Sequence, residues 1–130
     1  MLRACRAVLR PGGVMAFTAI QQAPGLGPLG RRVAAQVGPS DVVVRTSYPS
    51  LLASAGFTEV VADDVTAQYR ATLGGWIEAS RRHTDELVAI VGPDEVEERR
   101  ADRLATLAAI DDGVLQRWMF VARRPQRRLR

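Results

Sequence analysis

The sequence predicts an α/β protein, and three observations carry that prediction. Residues 14–20, Val-Met-Ala-Phe-Thr-Ala-Ile, form a near-continuous apolar run directly after Arg10-Pro11-Gly12-Gly13. A run of this kind is the pattern of a strand covered on both faces, whereas a half-wet strand alternates. Residues 66–91 change to a helical period, with Tyr69, Leu73, Trp76, Ile77, Leu87 and Val91 at spacings built from threes and fours. Two further apolar stretches, Phe57–Asp63 and Val114–Ala122, read as strands. The 130 residues, 47% hydrophobic, suffice for one domain with a core.

Each element has a local cause. In a short amino-terminal helix Leu2, Cys5, Val8 and Leu9 face inward, and Arg3, Arg6 and Arg10 face outward. Cys5 is thereby read as a small buried hydrophobe rather than a reactive thiol. After the strand comes a loop rich in Gly and Pro from Gln21 to Gly30, a helix over Arg31–Val37, a break at Gly38-Pro39 and an extended stretch Asp41–Arg45. Ser47 can cap the next helix, Pro49 is tolerated in its first turn, and Leu51, Leu52 and Ala55 give it a packing face. Gly56 supplies a left-handed stop before the second strand.

Within the long helical segment, Gly74-Gly75 is expected to interrupt or kink the helix. Gly92-Pro93 ends that segment and opens another helix. Asp94, Glu95, Glu97 and Glu98 load its first turns, where negative charge complements the helix dipole. Glu95 and Arg99 form a favourable i,i+4 pair. Asp111-Asp112-Gly113 is a turn into the third strand, which carries Leu115, Trp118, Phe120 and Val121.

Composition excludes several functions. No apolar stretch approaches the ~18 residues of a membrane span. The amino terminus alternates Arg with apolar residues, which is not a secretory signal. One cysteine allows no internal disulfide and agrees with a cytoplasmic location. One His and one Cys, far apart, make no metal site. The net charge is +4 and all eighteen basic residues are arginine. Five of them lie in the last eight residues, Arg123 to Arg130. That tail has no interleaved aromatics and reads as a solvated terminus, so a nucleic-acid partner is not expected. Gly25-Leu26-Gly27-Pro28-Leu29-Gly30 fits G-x-G-x-x-G, with Arg45 as a conceivable phosphate reader. However, Pro24 and Pro28 remove amide donors and the following helix is too short for a parallel crossover. No cofactor-binding residue is assigned.

Three strands make a thin sheet. If residues 14–20 had one edge unpaired and buried, each unsatisfied backbone group would cost about 1–3 kcal/mol. A few such groups would take a large share of the 5–15 kcal/mol typical of a whole domain. That edge is therefore expected to be covered by another chain, or the chain to fold poorly alone.

Three passages in order, Val8-Leu9-Arg10-Pro11-Gly12-Gly13, Leu51-Leu52-Ala53-Ser54-Ala55-Gly56-Phe57 and Trp118-Met119-Phe120-Val121-Ala122, carry a resemblance over nearly the full length. The chain resembles the carboxy-terminal half of class I S-adenosylmethionine-dependent methyltransferases, in their small-molecule branch. The resemblance implies a partial Rossmann-like sheet over residues 1–130. Its fifth, sixth and seventh strands would be Val14–Ile20, Phe57–Asp63 and Val114–Ala122, the last antiparallel and inserted between the other two. Residues 66–112 would be a helical insert or lid.

It also implies S-adenosylmethionine as cofactor. The family's glycine-rich turn and ribose-binding acid lie upstream of any residue present, and Met1 reads as an internal methionine taken as a start. The expected activity is that of a small-molecule methyltransferase, truncated and inactive alone. The expected substrate side comprises Gln21 with Gln22 at a rim and Tyr69, Trp76 and His83 on a lid, with His83 as a candidate general base. The expected partner is a companion chain, or a second copy, at the open edge of strand 14–20. The alternative is a non-catalytic module that self-associates through that edge.

Overall fold

The computed structural model describes residues 1–40, 42 and 46–128. The expected extended stretch Asp41–Arg45, apart from Val42, lies outside them, as do Leu129 and Arg130 of the arginine tail. The element order is α1 (Leu2–Val8), β1 (Val14–Gln22), α2 (Pro28–Val37), α3 (Tyr48–Ser54), β2 (Thr58–Asp64), α4 (Thr66–Arg82), α5 (Thr84–Val91), α6 (Pro93–Asp111) and β3 (Leu115–Arg123). The strands form one sheet in the order β1-β3-β2. The last strand is thus central, as expected, and it pairs antiparallel with β2.

Two compact units make up the chain. The first comprises Met1–Ala19, Val44–Asp64 and Trp118–Arg130. Its entry to β1 is the pattern of a type II turn: Pro11 precedes Gly12 at φ +77°, and the Gly13 amide donates to the Arg10 carbonyl at 2.8 Å. The Gly12 amide donates to the Arg124 carbonyl and the Arg124 amide to that of Gly13. The start of β1 therefore meets the end of β3, and the two strands run antiparallel. Met15, Phe17 and Ala19 pack with Leu52, Phe57, Phe120 and Ala122. The rings of Phe17, Tyr48 and Phe120 lie 5.1–5.5 Å apart, within the range of favourable aromatic pairs.

Three expectations for this unit are corrected. Val14, Ala16 and Thr18 are exposed, so β1 is covered on one face over that stretch despite its apolar composition. Val8 is 86% exposed and Cys5 only half-buried. Helix α1 is instead rotated so that Arg6 faces inward, its Nε donating to the Gly56 carbonyl at 3.1 Å. The tail is not wholly solvated. Arg123 Nη1 donates to the Gly12 carbonyl at 2.9 Å, and Arg124 Nη1 donates to the carbonyls of Arg6, Ala7 and Leu9. Other expectations hold. Ser47 Oγ accepts from the Ser50 amide at 3.3 Å, and Gly56 stops α3 at φ +88°.

The second unit comprises Ile20–Val43 and Val65–Arg117. Its core gathers Ala34, Val42, Leu73, Ala109, Ile110 and Leu115. Helix α2 begins at Pro28 rather than Arg31, because proline at the first helical position gives up no needed donor. The Gly-rich run is therefore partly helix. Helix α4 runs unbroken through Gly74 and Gly75, and the break falls at His83. Two glycines cost about 1 kcal/mol each, and the buried Leu73 and Ile77 on either side outweigh that. Gly92 at φ +88° and Pro93 separate α5 from α6 as expected, and Arg99 Nε meets Glu95 Oε1 at 2.6 Å. Arg70 binds Asp111 through two nitrogens at 2.5 and 3.1 Å, which holds the Asp111 carboxyl below its ordinary range.

Candidate functional site

Within the second unit, α4, α5 and α6 enclose an open groove of about 450 Å³. Trp76, Ala79, Ser80 and His83 recur at i, i+3, i+4 and i+7, so one face of α4 builds its wall. Leu87 and Ile90 of α5 continue it, and Arg103 of α6 closes one side. The Trp76 ring is 55% exposed, and the Arg103 guanidinium carbon lies 5.7 Å from its centroid, within cation–π range.

Opposite polarity stands at the turn between α4 and α5. His83 Nδ1 is 3.2 Å from Glu86 Oε1, both side chains exposed. A neutral ring that donates from Nδ1 keeps Nε2 as an acceptor, the arrangement a general base requires. Below the groove Thr84 Oγ1 donates to the Ser80 carbonyl at 2.9 Å and accepts from Arg100 Nη2 at 3.0 Å. These bonds fix the turn that carries His83.

The four residues singled out in the sequence occupy three places in this unit. Trp76 and His83 share the groove. Tyr69, on the same helix, packs instead on the core beside Leu73, with Arg117 stacked 5.0 Å from its ring centroid. Burial raises the Tyr69 phenol above its ordinary value, and the Arg117 charge draws it back in part. Gln21 sits half-buried near the end of β1, next to Gln22, whose buried Oε1 accepts no hydrogen bond from the described residues. Glu86, Leu87, Ile90 and Arg103 complete the groove and were not foreseen. Glu86 stands three residues after His83 and was legible as an i,i+3 neighbour. Arg103 lies on another helix, and no periodicity connects it to Trp76.

Among the described residues, no three His, Cys, Asp or Glu side chains gather as a metal site, and no helix is long and apolar enough to cross a membrane.

Comparison with known proteins fits the sheet order. No protein-family model matches the chain, and no curated protein matches it by sequence. Solved structures do. A proposed sarcosine dimethylglycine methyltransferase from Galdieria sulphuraria matches at TM-score 0.80 and 16% identity, over 98% of this chain and 47% of its own. Phosphoethanolamine N-methyltransferase 2 of Haemonchus contortus, in complex with S-adenosyl-L-methionine, matches at TM-score 0.79 and 16% identity, over 96% of this chain and 29% of its own. The cyclopropane synthase MmaA2 of Mycobacterium tuberculosis matches at TM-score 0.75 and 17% identity, over 95% and 48%. The chain spans less than half the length of each of these structures. Their reactions differ, so the likeness speaks for architecture and not for chemistry. The chain has an α/β fold that corresponds to part of the class I S-adenosylmethionine-dependent methyltransferase fold.

Proposed function

We propose that the chain is the acceptor-side portion of a small-molecule methyltransferase, inactive without the cofactor-binding portion of that fold. The observation that carries this reading is the sheet order β1-β3-β2. It leaves β1 outermost among the described strands, in a chain that matches methyltransferase structures along nearly its whole length but spans less than half of theirs. The Gly-rich run at Gly25–Gly30 does not fit S-adenosylmethionine. The run ends in the first turn of α2; Pro24 before it and Pro28 within it offer no amide, and Leu26 packs on the core. In the complete enzyme, the groove at Trp76 and His83 would hold a small methyl acceptor. Methyl transfer draws much of its rate from alignment of donor and acceptor, so a wall that positions the acceptor is a sufficient role for this portion.

Calorimetric titration of S-adenosylmethionine into the purified chain tests the reading. The expected result is no saturable heat; one-to-one binding would overturn it. A second reading is self-association through β1, favoured by one observation. None of the nine residues Val14–Gln22 is charged or proline, whereas the other outer strand, β2, carries Glu59, Asp63 and Asp64.

A further inference from the structure

Arg103 differs from three other arginines of α4 and α6. Arg70, Arg99 and Arg100 each face a carboxylate. Arg103, half-buried, makes no ion pair among the described residues; its contact is the Trp76 ring. A guanidinium against an apolar wall, without a counter-ion, is suited to an anion delivered by a ligand. At the far end stands the His83–Glu86 pair, whose carboxylate suits a cation or a hydroxyl. Trp76 on α4 and His83 at its carboxy-terminal cap are seven residues apart, which at 1.5 Å per residue separates the two ends by about 10 Å. The surface between them is apolar, formed by Ala79, Leu87 and the 78% exposed Ile90.

We propose that this groove binds an elongated amino acid with its two charges at opposite ends. The carboxylate lies on Arg103, the hydrocarbon body lies along Trp76, Leu87 and Ile90, and the ammonium reaches Glu86 beside His83. The proposal rests on the acceptor-side reading only for what the ligand is for; binding itself requires no cofactor.

The test is calorimetric titration of the full chain with ω-aminooctanoate, octanoate and octylamine. One-to-one binding of ω-aminooctanoate is expected, with octylamine, which lacks the carboxylate, at least about tenfold weaker, as loss of one charge-assisted contact implies. Arg103→Gln should weaken ω-aminooctanoate by a similar factor. Glu86→Gln should weaken ω-aminooctanoate and leave octanoate unchanged. Absence of saturable heat with ω-aminooctanoate, or equal affinity for octylamine, overturns the proposal, and this ligand comparison needs no variant that might misfold. A chain that binds S-adenosylmethionine yet ignores ω-aminooctanoate overturns both readings, each by its own titration. One that binds neither overturns the groove ligand alone.

Discussion

The guanidinium of Arg124 donates through Nη1 to the carbonyls of Arg6, Ala7 and Leu9, which are among those that the end of α1 leaves without helical partners. Helix α1 is seven residues long and has no buried residue, so its place depends on such contacts more than on packing. Arg124→Met should lower stability by about 2 kcal/mol, the scale of hydrogen bonds to a charged donor. Urea unfolding measures this, with Arg127→Met expected to match the unaltered chain. None of this was legible in the sequence. The arginine tail looks uniform there, and the carbonyls it meets lie more than a hundred positions away. Likewise the exposed Val8 has the same side chain it would have if buried; only the rotation of α1, set by Arg6 on Gly56, decides its fate.

Elements were more legible than their ends. Strands β1, β2 and β3 each stand where apolar content placed them, and Ser47, Gly56 and Gly92 end or begin helices through chemistry that acts within a few residues. What escaped was conformation fixed by tertiary contact. Glu59 adopts φ +50° in β2, where the register passes from Thr58↔Arg123 to Val61↔Val121 and one extra residue makes a bulge. Its carboxylate meets Arg123 Nε at 2.5 Å, a partner the local sequence does not announce. Gly38 is a related case. It caps α2 at an ordinary φ of −78°, so its lack of a side chain serves space and not backbone freedom. A Cβ there would stand 2.7 Å from the Ala34 carbonyl oxygen and from Val42 Cγ2. Gly38→Ala should therefore destabilise the chain by about 1–3 kcal/mol, as overpacking does, with the thermal midpoint as the readout.

At the scale of the molecule, the groove was half legible: Trp76 and His83 share a helix and a period, but Arg103 needed the fold to bring it near. The sheet order was legible through the family likeness, and its outer strand gives a further prediction. Backbone amides alternate in direction along a strand. The Ala23 amide donates to Val114 and the Gln22 amide to Val42, so that of Ala16, in phase with Gln22, points away from β3. Ala16→Pro removes an outward donor and leaves the ladder to β3 intact. If the chain self-associates through β1, analytical ultracentrifugation will find a dimer that Ala16→Pro converts to a monomer with unchanged circular dichroism. A monomer at every concentration for the unaltered chain excludes it. The acids of β2 add a limit of their own. Once two β1 margins were joined, the only flanks left on the outside would both bristle with carboxylates, and neither would welcome a newcomer. Assembly would thus halt at a closed twosome, with no ribbon able to lengthen into a fibre.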